Sequence, residues 1–252
     1  MTVREGSGIM RYEASGQRSR HGLWVAAFTL VAAAGAATVP VAETFKAAPN
    51  SSGTALISTS NLHQYRALRR MHAVSERFDH EGWMEAWTEL DARGFRYEIV
   101  SERGSDTVRN RVLRTLLKRE QELIAKGDFG RGELTPENYE FGEETSGPNG
   151  VRYIPIKPKR KDSMLIDGRM VLSPDGDLLR VEGLLAKNPS FWTSQVHVTR
   201  YYSRVDGVRV PIATESIAKV KFAGRSRLKV DYEYESVNGR PVGALARLGG
   251  AR

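Results

Sequence analysis

Trp83, Glu85, Trp87, Glu89 and Asp91 recur at every second residue, which puts three carboxylates and two indoles on one side of a β-strand. Paired acids beside aromatic rings are the raw material of glycoside hydrolysis. The same spacing also describes a solvent-facing strand side, and this plainer reading is favoured. Upstream, His72, Asp79, His80 and Glu81 carry metal-binding atoms, yet His63, His72, His80 and His197 lack the close helical spacing of a metal motif. The chain has no Gly-rich phosphate loop, no Gly-x-Ser-x-Gly elbow and no His-Glu-x-x-His helix. It also has no cysteine, so disulfides, thiolate ligands, cysteine nucleophiles and a lipid-modified N-terminal cysteine are excluded together. The expectation is a protein that is not an enzyme, with no catalytic residue, no metal and no cofactor.

What remains is aromatic and aliphatic surface, and the elements that carry it. From Asp162 to Gly239 short segments rich in Val, Leu, Ile and Tyr are punctuated by Asp167-Gly168, Pro174-Asp175-Gly176, Asp206-Gly207, Ala223-Gly224 and Asn238-Gly239, each a turn signal. Leu228, Val230, Tyr232 and Tyr234 alternate with Lys229, Asp231, Glu233 and Glu235, so one sheet face is buried and the other wet. Val196 and Val198 alternate more loosely with His197 and Thr199. Turns this short leave no room for crossover helices and imply an up-and-down antiparallel sheet that curls. Trp83 to Leu90 and Phe95 to Val100 form a further hairpin. Asn61 to Phe78 is expected to be a short helix running into a strand, because Ala67, Met71, Val74 and Phe78 sit at helical spacing.

One long helix interrupts the strands. Val108, Val112, Leu116, Leu117, Leu123 and Ile124 fall near one face of about five turns, with Asp106 as N-cap and Lys126-Gly127 as the end. Arg109, Arg111, Arg114, Lys118, Arg119, Glu120 and Glu122 fall on the other face. The apolar stripe must be buried, and the inner side of the sheet is the surface that can receive it. The fold class is therefore α+β: a curled antiparallel sheet, an incomplete β-barrel, covered by an amphipathic helix. A hydrophobic pocket between helix and sheet follows if the inward side chains do not fill it. Its expected lining and lid are Trp83, Trp87, Phe95, Tyr97, Val112, Leu116, Leu117, Phe191, Trp192, Val198, Phe222 and Val230.

The ends of the 252-residue chain read differently. Arg18, Arg20 and His21 precede an uncharged run from Leu23 to Val39, the pattern of a signal peptide cut between Ala34 and Ala42, with an uncleaved anchor as the alternative. The long leader points to Met10 as the start. Residues 1–42 are thus assigned to the signal, 43–60 to a flexible lead-in, 61–240 to one domain and 241–252 to a disordered tail. Formal charge is +8 overall and +6 without the signal, a balance that favours anionic partners. The sharpest basic run, Lys157-Pro158-Lys159-Arg160-Lys161, is expected to be a solvated turn and not a nucleic-acid patch.

Several motifs add a resemblance. Gly82-Trp83-Met84-Glu85-Ala86-Trp87 through Tyr97, Gly104-Ser105 to Val112-Leu113, Asp167-Gly168-Arg169 through Leu179-Arg180-Val181-Glu182-Gly183, Lys187-Asn188-Pro189-Ser190-Phe191-Trp192, Val208-Arg209-Val210-Pro211 and Gly224-Arg225-Ser226 together resemble bacterial outer-membrane lipoprotein-sorting proteins of the LolA-like (LolA/LolB) superfamily. The resemblance implies an incomplete barrel with a helical lid over a hydrophobic cavity that holds acyl chains of lipoproteins or other lipophilic ligands in the periplasm. It implies as partners the lipid itself and membrane-associated donor or acceptor proteins. An envelope sensor of the same fold, recognising lipid or unfolded envelope protein, is the second expectation.

Overall fold

The computed structural model describes residues 62–191, 193–221 and 224–243. The signal, the lead-in and most of the assigned tail lie outside them. Twelve strands form one antiparallel sheet, left open at both edges, with one long helix on one face. The first three strands, β1 (Tyr65–Ser75), β2 (His80–Asp91) and β3 (Gly94–Gly104), make a meander. After the helix come the short β4 (Tyr139–Phe141) and β5 (Thr145–Ser146), then β6 (Arg152–Pro158), β7 (Ile166–Leu172), β8 (Leu178–Leu185), β9 (Thr193–Val205), β10 (Val208–Val220), β11 (Gly224–Val237) and β12 (Arg240–Pro241). The order across the sheet is β3-β2-β1-β11-β10-β9-β8-β7-β6-β4, with β12 on β11 and β5 on β6. The first strand therefore pairs with the last long one inside the sheet, third and fourth from the β3 edge.

β1 corrects the expected helix. Tyr65, Ala67, Arg69, Met71, Ala73 and Ser75 are all buried, a clean period of two over eleven residues. A charged residue at the centre of that row hides the alternation, and the incidental spacing of Ala67, Met71 and Val74 then mimics a helix. The hairpins at Asp206-Gly207 and Asn238-Gly239 form as expected, each with positive φ at both residues, the geometry that matches strand twist. Asp167-Gly168 is not a turn. Gly168 lies inside β7 opposite Gly183 of β8, and the strands approach so closely that a Cβ on Gly168 would sit 2.1 Å from the Glu182 carbonyl oxygen. Order also continues past residue 240: β12 pairs with β11, and Val242 is buried.

The helix has three stretches: α1 (Asp106–Val108), a π-helical turn (Arg109–Leu113) and α2 (Arg114–Ala125). Its N-cap is Ser105 and not Asp106, which lies in the first turn and is held by Arg109. Val108, Val112, Leu113, Leu116, Leu117 and Ile124 are buried, each contributing roughly 1.5–3 kcal/mol. Leu113, three and four residues before Leu116 and Leu117, shares their buried stripe and closes the π turn that follows Val108. The segment as a whole leaves the β3 edge and delivers the chain to the β4 edge. A short 3₁₀ helix, Asp128–Gly132, follows it and is pinned to the β6–β7 connection. There Arg131 donates to buried Asp162 at 2.8 Å, and Arg160 donates to Asn138 Oδ1 at 2.6 Å and to the Arg131 carbonyl at 2.7 Å. The basic run thus ends β6 with Lys157 and Pro158 and leaves the sheet from Lys159 onward, with Arg160 built into the structure.

Two outcomes test this architecture. Replacing Gly168 by Ala is expected to cost about 2–3 kcal/mol in urea unfolding, because backbone must move; Gly130→Ala, at an open position, should stay within about 0.5 kcal/mol. Burial opposes ionisation of Asp162, but the Met164 N–H and Arg131 outweigh it and hold its carboxyl below the usual range. Its contribution is therefore present above the ordinary carboxylate pKa and lost as pH falls through the depressed one. Asp162→Asn should lose less stability than the parent between about pH 7 and about pH 3, measured by denaturant midpoint.

Candidate functional site

The face under the helix gathers side chains from strands far apart in sequence. Phe95 of β3, Val198 of β9 and Val230 of β11 are buried there with Val112, Leu116 and Leu117 of the helix, and Tyr97 is packed against them partly buried. Seven of the twelve expected lining residues are thus brought together. Trp83 and Trp87 are not: they point to the opposite face. The period of two in β2 assigns the helix side to Gly82, Met84, Ala86, Thr88 and Leu90. A Cβ at Gly82 would lie 2.9 Å from Val108 Cγ1, so the helix requires small side chains where it crosses β2. Phe191 is 78% exposed in the β8–β9 connection and lines nothing under the helix. Trp192 and Phe222 lie outside the described residues.

At the centre of the helix side stands an ion pair that hydropathy does not reveal. Arg69 of β1 is fully buried, and Glu120 of α2 is 1% exposed. The guanidinium donates to both carboxylate oxygens, at 2.5 Å and 2.8 Å, and through Nη2 to the Tyr65 hydroxyl at 2.6 Å. Its carbon lies 5.1 Å from the Phe95 ring centre and 4.9 Å from that of Tyr232. Burial opposes the charge on Arg69, yet Glu120 beside it holds the group protonated well beyond its ordinary range. Arg69 Nε has no acceptor among the described residues. Burial likewise pushes the Tyr65 and Tyr234 hydroxyls up, and Tyr139 to about 12. Arg200 of β9 belongs to the same interior, where burial opposes its charge while the nearby Tyr202 and Tyr232 favour it.

The lining is therefore mixed. Thr88, Thr214, Ser216, Ser75 and Ser226 are buried on the helix side among the apolar residues. Beside the first turns of the helix is a gap of about 10 Å³, lined by Ala73, Val74, Ser75, His80, Thr107, Val108 and Val112. A gap of that size holds no more than a water molecule and is not the roomy hollow anticipated from sequence.

The opposite face carries a ladder of charges and rings. Trp83 lies between His72, stacked at 4.7 Å, and Arg103, 4.5 Å from its ring centre. Arg70 bridges Glu85 and Glu233, at 3.3 and 2.7 Å, and Arg66 covers Trp87 at 4.5 Å while binding Glu89 and Glu235. An open groove of about 590 Å³ runs along Arg70, Trp83, Glu85 and Arg103. The three acids singled out by spacing are each held by arginine. Arg96 keeps Glu89 below the usual carboxylate range, and Arg96 with Arg93 does the same more strongly for Asp91, so neither serves as a proton donor near neutral pH. Among the described residues no group of three or more His, Asp and Glu converges as a metal site, and no helix is long and apolar enough to cross a membrane.

No model of a known protein family matches the chain, and no curated protein matches it.

Sequence reasoning missed Arg69 and Glu120, and the signals were present. Glu120 lies three and four residues from Leu117, Leu116 and Ile124, on the buried stripe and not on the polar face. Removing one partner leaves the other charge buried and alone, so Glu120→Leu is expected to cost about 3–5 kcal/mol in denaturant unfolding. The double variant Arg69→Met with Glu120→Leu should recover most of that loss, giving a large coupling in the double-mutant cycle.

Proposed function

We propose that the protein is an exported, non-enzymatic carrier that holds lipoprotein acyl chains or another lipophilic ligand under the long helix. In this reading the sheet is an incomplete barrel and the helix its lid, as the LolA-like resemblance implies. The observation that carries it is the way the helix is attached: a continuous apolar stripe packs on the inner face beside β1 to β3, and a buried ion pair, Arg69 with Glu120, fastens it there. Such a cover is released as a unit once the pair separates, exposing apolar residues of both layers together.

A ligand entering that space meets both kinds of surface. Its chain packs against Leu116, Leu117, Val198 and Val230, and a polar head finds donors at Arg69 and at buried hydroxyls such as Ser75 and Ser226, which have no partner among the described residues. The closed arrangement, with its own side chains in contact, is the unloaded form. Export by the N-terminal segment and delivery between membrane-associated donor and acceptor proteins complete the reading. The groove along Trp83 and Arg103 on the other face supports the second reading, a sensor that grips an envelope protein.

Replacing Leu117 by Asp is expected to lower uptake of a fluorescent fatty acyl probe by about tenfold or more, a loss of ~1.4 kcal/mol. Unchanged uptake, with a near-ultraviolet spectrum like the parent's, would count against the lid. Native mass spectrometry separates the two readings: co-purifying lipid supports the carrier, and lipid-free protein held by a stable protein partner supports the sensor.

A further inference from the structure

The two ends of the strands differ in chemistry. At the end where the helix begins lie the β1–β2, β6–β7, β8–β9 and β10–β11 connections. Phe191 in one of them is 78% exposed, and Phe78 in another 42%. Each ring is accompanied by a cation: Lys221 Nζ lies 4.4 Å from the Phe191 ring centre, and the Arg77 guanidinium carbon 5.9 Å from that of Phe78. Lys159 and Lys161, from the basic run, are exposed at this same end, as is Lys187 beside Phe191. On the adjoining open face, Leu184 and Ile217 flank His197 on neighbouring strands and are 38% and 42% exposed. Of the carboxylates here, Glu76 is bound to Arg227, Asp106 to Arg109 and Asp162 to Arg131, and Glu137 lies near Lys159; with Asp79 and Asp167 exposed, these acids stand against Arg77, Lys159, Lys161, Lys187, Lys221 and Arg225. The turns at the other end, with Asp91, Arg93, Asp175, Asp206 and Asn238, are polar.

Large exposed rings set among cations at one rim fit a lipid–water boundary. There the rings leave water for the acyl margin while Lys and Arg meet phosphates, each cation being worth about fivefold in binding to an anionic surface. A nucleic acid would satisfy the cations but gives Phe78, Phe191 and Ile217 no apolar phase. We propose that this rim docks the protein, end-on, onto the surface of an anionic lipid bilayer. The proposal stands apart from the carrier reading, since none of these residues lies under the helix.

Vesicle flotation of the full-length protein tests it, with phosphatidylcholine vesicles prepared with and without phosphatidylglycerol. The apolar run at Leu23–Val39 is common to all variants, so the readout is the difference between them. Neutralising Lys159, Lys161 and Lys221 to Gln is expected to reduce binding to phosphatidylglycerol vesicles by about fivefold per cation, and added salt should shrink the difference. Phe78→Ser with Phe191→Ser should reduce binding at both low and high salt. Arg93→Gln, at the other end, should leave binding at the parent level, and acyl-probe uptake should be unchanged in every rim variant. Undiminished vesicle binding by the lysine variant, or an equal loss in Arg93→Gln, would overturn the proposal. So would a rim whose neutralisation abolishes capture of double-stranded DNA while vesicle binding persists. Should the phenylalanine pair lower the melting temperature, the lysine variant decides alone.

Discussion

A guanidinium taken wholly out of water cannot be left without a counter-charge, and this requirement on Arg69 governs the way the molecule is put together. Glu120 must reach it, so the helix has one permitted rotation and one permitted height over the sheet. Arg69 must face inward, so β1 has one permitted register; a slip of one residue would turn its whole inner row outward. Apolar contacts would tolerate several neighbouring arrangements of a greasy helix on a greasy sheet. The ion pair selects among them, with Tyr65 and the rings of Phe95 and Tyr232 completing its surroundings.

The division of labour between the two faces follows from the helix's need for room. The inward rows of β1 and β2 intersperse the small residues Ala67, Ala73, Gly82 and Ala86 among larger ones, Gly82 directly under Val108, and the indoles of β2 lie on the other side. There Trp83 and Trp87 are shielded by Arg103, His72 and Arg66 instead of by a core. The tryptophans of β2 are therefore poor markers of the interior, whereas Tyr65, Phe95, Tyr232 and Tyr234 are buried in it.

Legibility in the sequence tracked how far a pattern is local. Strands β8 to β11 and the Trp83–Val100 hairpin are readable because period two and turn chemistry are properties of neighbouring residues. The helix is readable from its stripe, though the π turn at Arg109–Leu113 is not. β1 was obscured by one buried arginine, and the same residue concealed the centre of the candidate site, since its inward placement makes sense only beside Glu120, 51 residues later. Gly168 reads as a turn because a glycine demanded by a close neighbour looks identical, in sequence, to one demanded by a bend. Which side of β2 faces the helix could be settled only by knowing that Val108 presses on Gly82.

The pairing of β1 with β11 inside the sheet has a consequence for how the molecule is made. Backbone N–H groups of His63 and Gln64 are held by the side chain of Asn238, about 175 positions away. The N-terminal meander must wait for nearly all of the polypeptide to emerge before it finds its partner strand, and loop-closure entropy makes that encounter slow. Assembly is thus a late joining of the three-stranded N-terminal meander to the larger C-terminal block along the β1–β11 seam, and the unpaired edge of β1 is the surface that needs protection until β11 reaches it.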